Sequence, residues 1–331
     1  MQVVASAGRE DIARVYIAEM RDGRTVEFVE SVQPPIPREK KWVLIVSTLF
    51  GCPVGCPMCD AGGGYKGKLS KEEILEQIDY LVRRRFPEGR VPVEKFKVQF
   101  ARMGEPAFNP AVLEVLEELP VRYDAPGLLP SISTVAPYGT EEFFEGLLEV
   151  KRRLYRGRFQ LQFSIHTTDP KVRDELIPIK KWGFEGIAEY GMRFQEPGDR
   201  KVTLNFALAK GVPLEARVLL RYFPPERFLV KLTPLNPTYR ARESGLVSYI
   251  DPGRPEEDYD VVRKLREAGY EVIVSIGEVE ENRIGSNCGQ FVRRHMKSGA
   301  PLEEGYTYPL EDVSREETCW RCATTDMHAS S

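Results

Sequence analysis

The segment 42–64, WVLIVSTLFGCPVGCPMCDAGGG, decides how the rest of the chain is read. Trp42 to Ser47 is a continuous apolar run of strand length, and such a run is what a strand buried on both faces requires. Four residues beyond it begins Cys52-x3-Cys56-x2-Cys59, followed by Gly62-Gly63-Gly64. Three thiolates at this spacing can take three corners of a cubane iron-sulfur cluster and leave the fourth iron open. A zinc site would want a fourth protein ligand, and none stands nearby in sequence.

Outward from this segment, apolar strands alternate with amphipathic helices. Ser70-x-x-Glu73 is a capping box opening a helix with Ile74, Ile78, Leu81 and Val82 on one face. Strands are expected near 96–101, 129–133, 159–165, 202–208 and 228–232. Helices capped by Asn109 and Thr140 fall between them, and a last helix-strand pair covers about 256–276. Repeated alternation of this kind predicts an α/β fold with parallel strands and helices outside, an open or complete barrel of six or more units. Before it, 13–30 reads as a β-hairpin turning at Asp22-Gly23. The expected divisions are an N-terminal hairpin extension (1–35), a barrel core (36–280) and a C-terminal cysteine-containing extension (281–331).

Bulk properties narrow the setting. The chain has 331 residues, 42% hydrophobic content and a net charge of −3, so no overall basic field draws it onto nucleic acid. The basic clusters 83–85 and 151–158 read as solvated helix ends. No apolar run reaches the roughly 18 residues needed to span a bilayer, and the N-terminus lacks a secretory pattern. A cytoplasmic location is expected. In that compartment two groups of three cysteines (52, 56, 59 and 288, 319, 322) point to metal binding or catalysis rather than disulfides.

Chemistry in α/β barrels gathers at the C-terminal ends of the strands. The expected strands lead to Cys52, to Gly104-Glu105-Pro106, to Ser131 and Ser133, to Ser164 and His166, and to Asn236. With its glycine-rich sequel, the cysteine motif is similar to the signature of the radical S-adenosylmethionine superfamily, although Met58 stands where many members have an aromatic residue. The segments Met103-Gly104-Glu105-Pro106-x-x-Asn109, Ser131-x-Ser133-x-x-x-Pro137, Ser164-Ile165-His166, Asp174-Glu175-Leu176-Ile177-Pro178-Ile179, Leu235-Asn236-Pro237 and Asn287-Cys288-Gly289-Gln290 occur in order. Together they resemble the radical methyl synthases of the RlmN/Cfr group, which methylate carbon 2 of adenine in ribosomal and transfer RNA.

The resemblance implies a partial (β/α)6-type radical S-adenosylmethionine barrel. A 4Fe-4S cluster would sit on Cys52, Cys56 and Cys59, and S-adenosylmethionine would be bound by Gly104, Glu105, Ser131, Ser164, His166 and Asn236. It implies Cys288 as a methyl-carrying thiol and Glu27 as a proton acceptor; a solvent-facing hairpin glutamate is the plain alternative for Glu27. An electron donor such as flavodoxin or ferredoxin would supply the reducing electron, with no membrane partner. Two departures stand out. Position 45, where the family has a resolving cysteine, is Ile45, and the family's small N-terminal RNA-binding domain has no counterpart. Cys288, Cys319 and Cys322, with His295 or His328 as a fourth ligand, could instead hold an auxiliary iron-sulfur cluster or zinc. The substrate would then be a small molecule or peptide rather than RNA.

Overall fold

The computed structural model describes residues 1–251, 259–298, 301–302 and 305–313. Among these residues, the strands are β1 (Gln2–Arg9), β2 (Ala13–Glu19), β3 (Thr25–Ser31), β4 (Trp42–Val46), β5 (Phe96–Phe100), β6 (Leu128–Thr134), β7 (Gln160–Ser164), β8 (Val202–Ala207), β9 (Phe228–Thr233), β10 (Val272–Val274) and β11 (Glu311–Asp312). They form a single sheet in the order β10-β9-β8-β7-β6-β5-β4-β3-β2-β1-β11, which does not close on itself. From β4 to β10 every pairing is parallel, and the strands on the β1 side are antiparallel. Of the open or complete barrel that the alternation predicts, the open form is what appears, as the partial barrel implied by the resemblance requires. Its predicted strands fall within a residue or two of the observed ones.

The hairpin turns as expected at Asp22-Gly23, with Gly23 in the left-handed region at φ +79°. β3 pairs with β4 (Val29 opposite Ile45), so the hairpin strands continue the barrel sheet. The capping box also forms: Glu73 N donates to Ser70 Oγ at 3.2 Å and Ser70 N donates to Glu73 Oε2 at 2.8 Å, opening helix Lys71–Arg85. Thr140 stands at the head of helix Glu141–Leu154 without capping it, because its hydroxyl donates to Pro137 O instead, at 2.7 Å.

Alternation along each strand separates two environments. Phe96, Val98 and Phe100 of β5 and Phe228, Val230 and Leu232 of β9 pack in the core that includes the helix residues Ile74, Ile78 and Leu81. Residues of opposite parity line the concave face. On β2 to β4 that face is apolar (Val15, Ile17, Val29, Ile45) and is covered by Ile284 and Val292 of the C-terminal segment. On β5 to β9 it is mostly polar (Lys97, Gln99, Ser131, Ser133, Gln162, Asn205 and Lys231, beside Leu129 and Leu229).

Candidate functional site

The three front cysteines lie on the connection between β4 and helix Lys71–Arg85, which is held at both ends by one buried side chain. Asn109 Nδ2 donates to Thr48 O and to Leu69 O, each at 2.8 Å, while Thr48 N donates to Met103 O at 2.8 Å. Midway, Asp60 accepts from Tyr239 N (3.1 Å), Arg240 N (3.0 Å) and the Tyr306 hydroxyl (3.0 Å). The Arg240 guanidinium donates to Gly55 O at 2.7 Å and Gly62 O at 3.2 Å. The loop's shape is thus fixed by segments far away in sequence.

Burial pushes all three thiols up, Cys52 to about 11 and Cys59 to about 12, and Cys56 also rises well above the usual thiol range. Neighbouring sulfurs raise Cys56 and Cys59 further, and the Glu105 carboxylate raises Cys52. Buried thiols of this kind ionise when a metal centre takes the place of their protons. Among the described residues, no three His, Cys, Asp or Glu side chains converge on a point suited to one metal ion. A single zinc would draw its ligands to about 2.3 Å from one centre; in a cubane each thiolate binds its own iron. The backbone N–H groups of Val54, Gly55 and Glu105 face the Cys52 sulfur, and that of Ala61 faces Cys59. Such donors stabilise thiolate and tune cluster potential. The donor set fits a 4Fe-4S cluster with three protein-held corners.

Next to this loop stands the glycine-glutamate pair. Gly104 has φ +100°, and a Cβ there would lie 2.5 Å from the Leu49 side chain, so no other residue fits. Glu105 is buried and accepts from Ala107 N at 3.1 Å, the Thr134 hydroxyl at 2.5 Å and Val135 N at 2.9 Å. Desolvation nevertheless pushes its carboxyl up to about 7. A carboxylate so desolvated gains strongly from an incoming amino group.

His166 sits just past β7 with φ +65°. Its Nδ1 accepts from Ala207 N at 3.1 Å, which puts its proton on Nε2. Burial, aided by the Arg173 charge, holds it down at about 4, so it is a neutral donor at physiological pH. Ser164 closes β7, opposite Asn205 of β8. Ser131 Oγ is buried with no partner among the described residues. It lies three residues, roughly 10 Å of strand, before the end of β6. At that end it is Thr134, which sequence reading missed, that meets Glu105.

Cys288 is exposed at this mouth, and its loop leans on the cysteine loop. Asp60 N donates to Gly289 O at 2.8 Å, Asn236 Nδ2 donates to Cys288 O at 2.9 Å, and a Cβ on Gly289 would stand 3.0 Å from Met58 O. The surrounding protein pushes the Cys288 thiol up, against the pull of Lys231 and Arg102. Arg102 was not singled out in the sequence. Its guanidinium donates to Gly285 O (2.9 Å), Ser286 O (3.3 Å) and Asn287 O (3.3 Å), and pairs with Glu27 at 2.8 Å.

Glu27 is completely buried, not a solvent-facing hairpin residue. It also accepts from Val292 N at 3.3 Å and Arg293 N at 2.8 Å. Burial raises its carboxyl, while Arg102 and the two amides pull it back. The pair pins the Cys288 loop from both sides. Arg102→Met leaves Glu27 buried without its cation, and losing one partner of a buried pair costs about 3–5 kcal/mol. Denaturant unfolding should show a loss in that range, recovered in large part by the double variant Arg102→Met/Glu27→Gln. An unchanged midpoint in the single variant would refute the clamp.

His295 stacks on Tyr306 and lies 2.6 Å, through Nδ1, from the Tyr239 hydroxyl. Cys319, Cys322 and His328 lie outside the described residues. The basic clusters are for the most part the solvated helix ends expected, with Arg83, Arg152, Arg153, Arg156 and Arg158 exposed, and two members are exceptions. Arg85 pairs with buried Glu30 at 2.7 Å, and Lys151 is buried against Asp199 and Glu196.

No family model matches the chain. A probable dual-specificity RNA methyltransferase RlmN of Thermobifida fusca is 28% identical over 277 residues, covering 80% of this chain and 70% of that protein. The corresponding protein of Parafrankia sp. is 30% identical over 291 residues, covering 82% and 69%. The dual-specificity RNA methyltransferase RlmN of Wolinella succinogenes is 28% identical over 308 residues, covering 87% and 83%. Among solved structures, a radical SAM methyltransferase from Sphaerobacter thermophilus has the same fold, with TM-score 0.64 and 22% identity over 88% of this chain and 81% of that one. Among the described residues, no helix is long and apolar enough to cross a membrane.

Proposed function

The chain belongs to the RlmN family of radical S-adenosylmethionine methyltransferases, and from that membership we propose a methyl synthase in which Cys288 carries a methyl group to an sp2 carbon of an RNA base, adenine carbon 2 by analogy. Membership brings a 4Fe-4S cluster and S-adenosylmethionine. The observation that carries the rest is the seating of Cys288, whose backbone is tied to Asn236 on one side and, through Gly289, to the cysteine loop on the other.

In this reading Cys52, Cys56 and Cys59 would hold the cluster, whose chemistry would be one-electron reductive cleavage of S-adenosylmethionine to methionine and a 5'-deoxyadenosyl radical. An external reductant of flavodoxin or ferredoxin type provides that electron. Glu105 receives the cofactor's amino group, and Gly104 lets the backbone turn close enough for it to do so. His166 offers its Nε2 proton, and Ser131 and Ser164 offer hydroxyls from the concave face. The Cys288 thiolate takes a methyl group from one S-adenosylmethionine, forming a C–S bond as S-adenosylhomocysteine leaves. The radical from a second molecule would remove a hydrogen atom from that methyl and leave as 5'-deoxyadenosine. The methylene carbon would bond to the ring carbon, with an electron returned to the cluster and the ring hydrogen lost as a proton. Attack of a second thiol on the Cys288 sulfur would break the C–S bond, forming a disulfide that the external reductant reduces. Glu27 carries the family's proton-acceptor position, and its geometry supports an anchoring part as well.

Ile45 packs among Val29, Ile17 and Ile284, so no thiol stands at the family's resolving position. A resolving thiol would have to come from Cys319 or Cys322, the chain's other cysteines. The same absence favours a second reading, in which Cys288, Cys319 and Cys322 hold an auxiliary metal. Anaerobic incubation of the holoenzyme with S-adenosylmethionine, reductant and an RNA bearing unpaired adenines tests the substrate. Nuclease digestion and mass spectrometry should find adenosine methylated on a ring carbon. If 5'-deoxyadenosine accumulates and no nucleoside is methylated, the RNA reading fails.

A further inference from the structure

The proposed steps use the strand ends and leave the middle of the concave face unused. Two lysines stand there. Lys97 of β5 and Lys231 of β9 have flanking residues (Phe96, Val98, Val230, Leu232) that belong to the core on the helix side. Alternation therefore turns both lysines into the concavity. Lys231 is in register with Asn205, and Lys97 with Leu129. Among the described residues, neither ammonium has a hydrogen bond or an ion pair.

The charges around them deepen the anomaly. Those that act on Lys97 are all cations: Lys231, Lys95, Lys41 and Arg200. Lys231 feels only the Cys288 thiol as a partner of opposite sign. Burial draws both ammoniums down from the usual lysine range, and at Lys97 the neighbouring cations add to it. Desolvated cations without counter-charge cost stability, and the fold shows the cheaper solution next door, where Val15, Ile17, Val29 and Ile45 fill the same face. Polar groups kept unpaired in a concave pocket mark a ligand site.

We infer that the concave face between β5 and β9 binds a phosphate group of the substrate nucleotide through Lys97 and Lys231. Lys97 lies three residues and Lys231 two residues before its strand's end, roughly 10 Å and 7 Å below the mouth. A base presented to Cys288 at the mouth would then have its phosphate beneath it. Asn205 Oδ1, buried and without a donor among the described residues, adds an acceptor for a sugar hydroxyl. The inference rests on the nucleotide-substrate reading, which it deepens by naming the anion and the cations that hold it.

Calorimetric titration of the cluster-loaded protein, with S-adenosylmethionine present, separates the two claims. Adenosine 5'-monophosphate should bind at least about tenfold more tightly than adenosine, the size of one charge-assisted contact. Lys97→Met and Lys231→Met should each remove most of that preference. Equal binding of the two probes by the wild type, or an intact preference in both variants, overturns the inference. Against variants that fail to fold, inorganic phosphate should raise the wild-type Tm by several degrees over chloride at equal ionic strength; no shift overturns the inference too. Ring methylation of RNA is scored separately. A phosphate preference without methylated product sinks the methyl-transfer reading and leaves the anion site standing, and methylated product without the preference does the reverse.

Discussion

Replacing any one of Cys52, Cys56 or Cys59 by alanine should abolish 5'-deoxyadenosine formation. Removing a supporting residue of a metal centre typically lowers activity roughly 10–100-fold, but here the loss should reach background. Each thiol would hold a different iron, so one deletion opens a second corner to solvent. The remaining sulfurs sit in a pocket that keeps them protonated, with Cys52 pushed up to about 11 and Cys59 to about 12, and a cluster losing one ligand loses the charge that keeps the others ionised. Iron content of anaerobically purified protein and chromatography of 5'-deoxyadenosine measure this together. A single-alanine variant that keeps its iron and its activity would remove the cysteine triad from the chemistry.

Cys288→Ala should divide the reaction in two. The thiol is exposed and takes no part in the core, so the fold loses little. Glu105, His166 and the cysteine loop are untouched, so cleavage of S-adenosylmethionine should continue while methyl transfer stops. The measured pair is 5'-deoxyadenosine, retained, and methylated product, absent. Methylated product from the alanine variant would end the carrier role. A drop in iron or zinc content in the same variant would instead favour the auxiliary-metal reading, since a carrier thiol holds no metal.

Sequence and structure agree where information is local. The parallel strands announced themselves as short apolar runs between amphipathic helices, and Gly104-Glu105 is a motif whose steric reason is one contact with Leu49. β1 escaped because its small residues (Val3 to Gly8) carry no clear alternation, and β11 because it is two residues long. The anchors of the site were illegible for a different reason. Arg102 reaches Gly285, Asp60 reaches Tyr306, and Arg240 reaches Gly55, all pairings between residues well over a hundred positions apart. Glu27 is the instructive case. A hairpin glutamate is normally solvated, but the C-terminal segment folds over the concave face of β2 to β4 and buries it against Arg102. Lysines 97 and 231 look like ordinary charges in alternating strands until the sheet's curvature sets them in one concavity.

If Cys288 carries the methyl group, its sulfur is methylated before any product forms. The direct measurement is mass spectrometry of the Cys288 peptide after anaerobic incubation of the cluster-loaded protein with methyl-labelled S-adenosylmethionine. Labelled methyl is expected on the Cys288 sulfur. Labelled product accumulating while Cys288 stays unlabelled would contradict it.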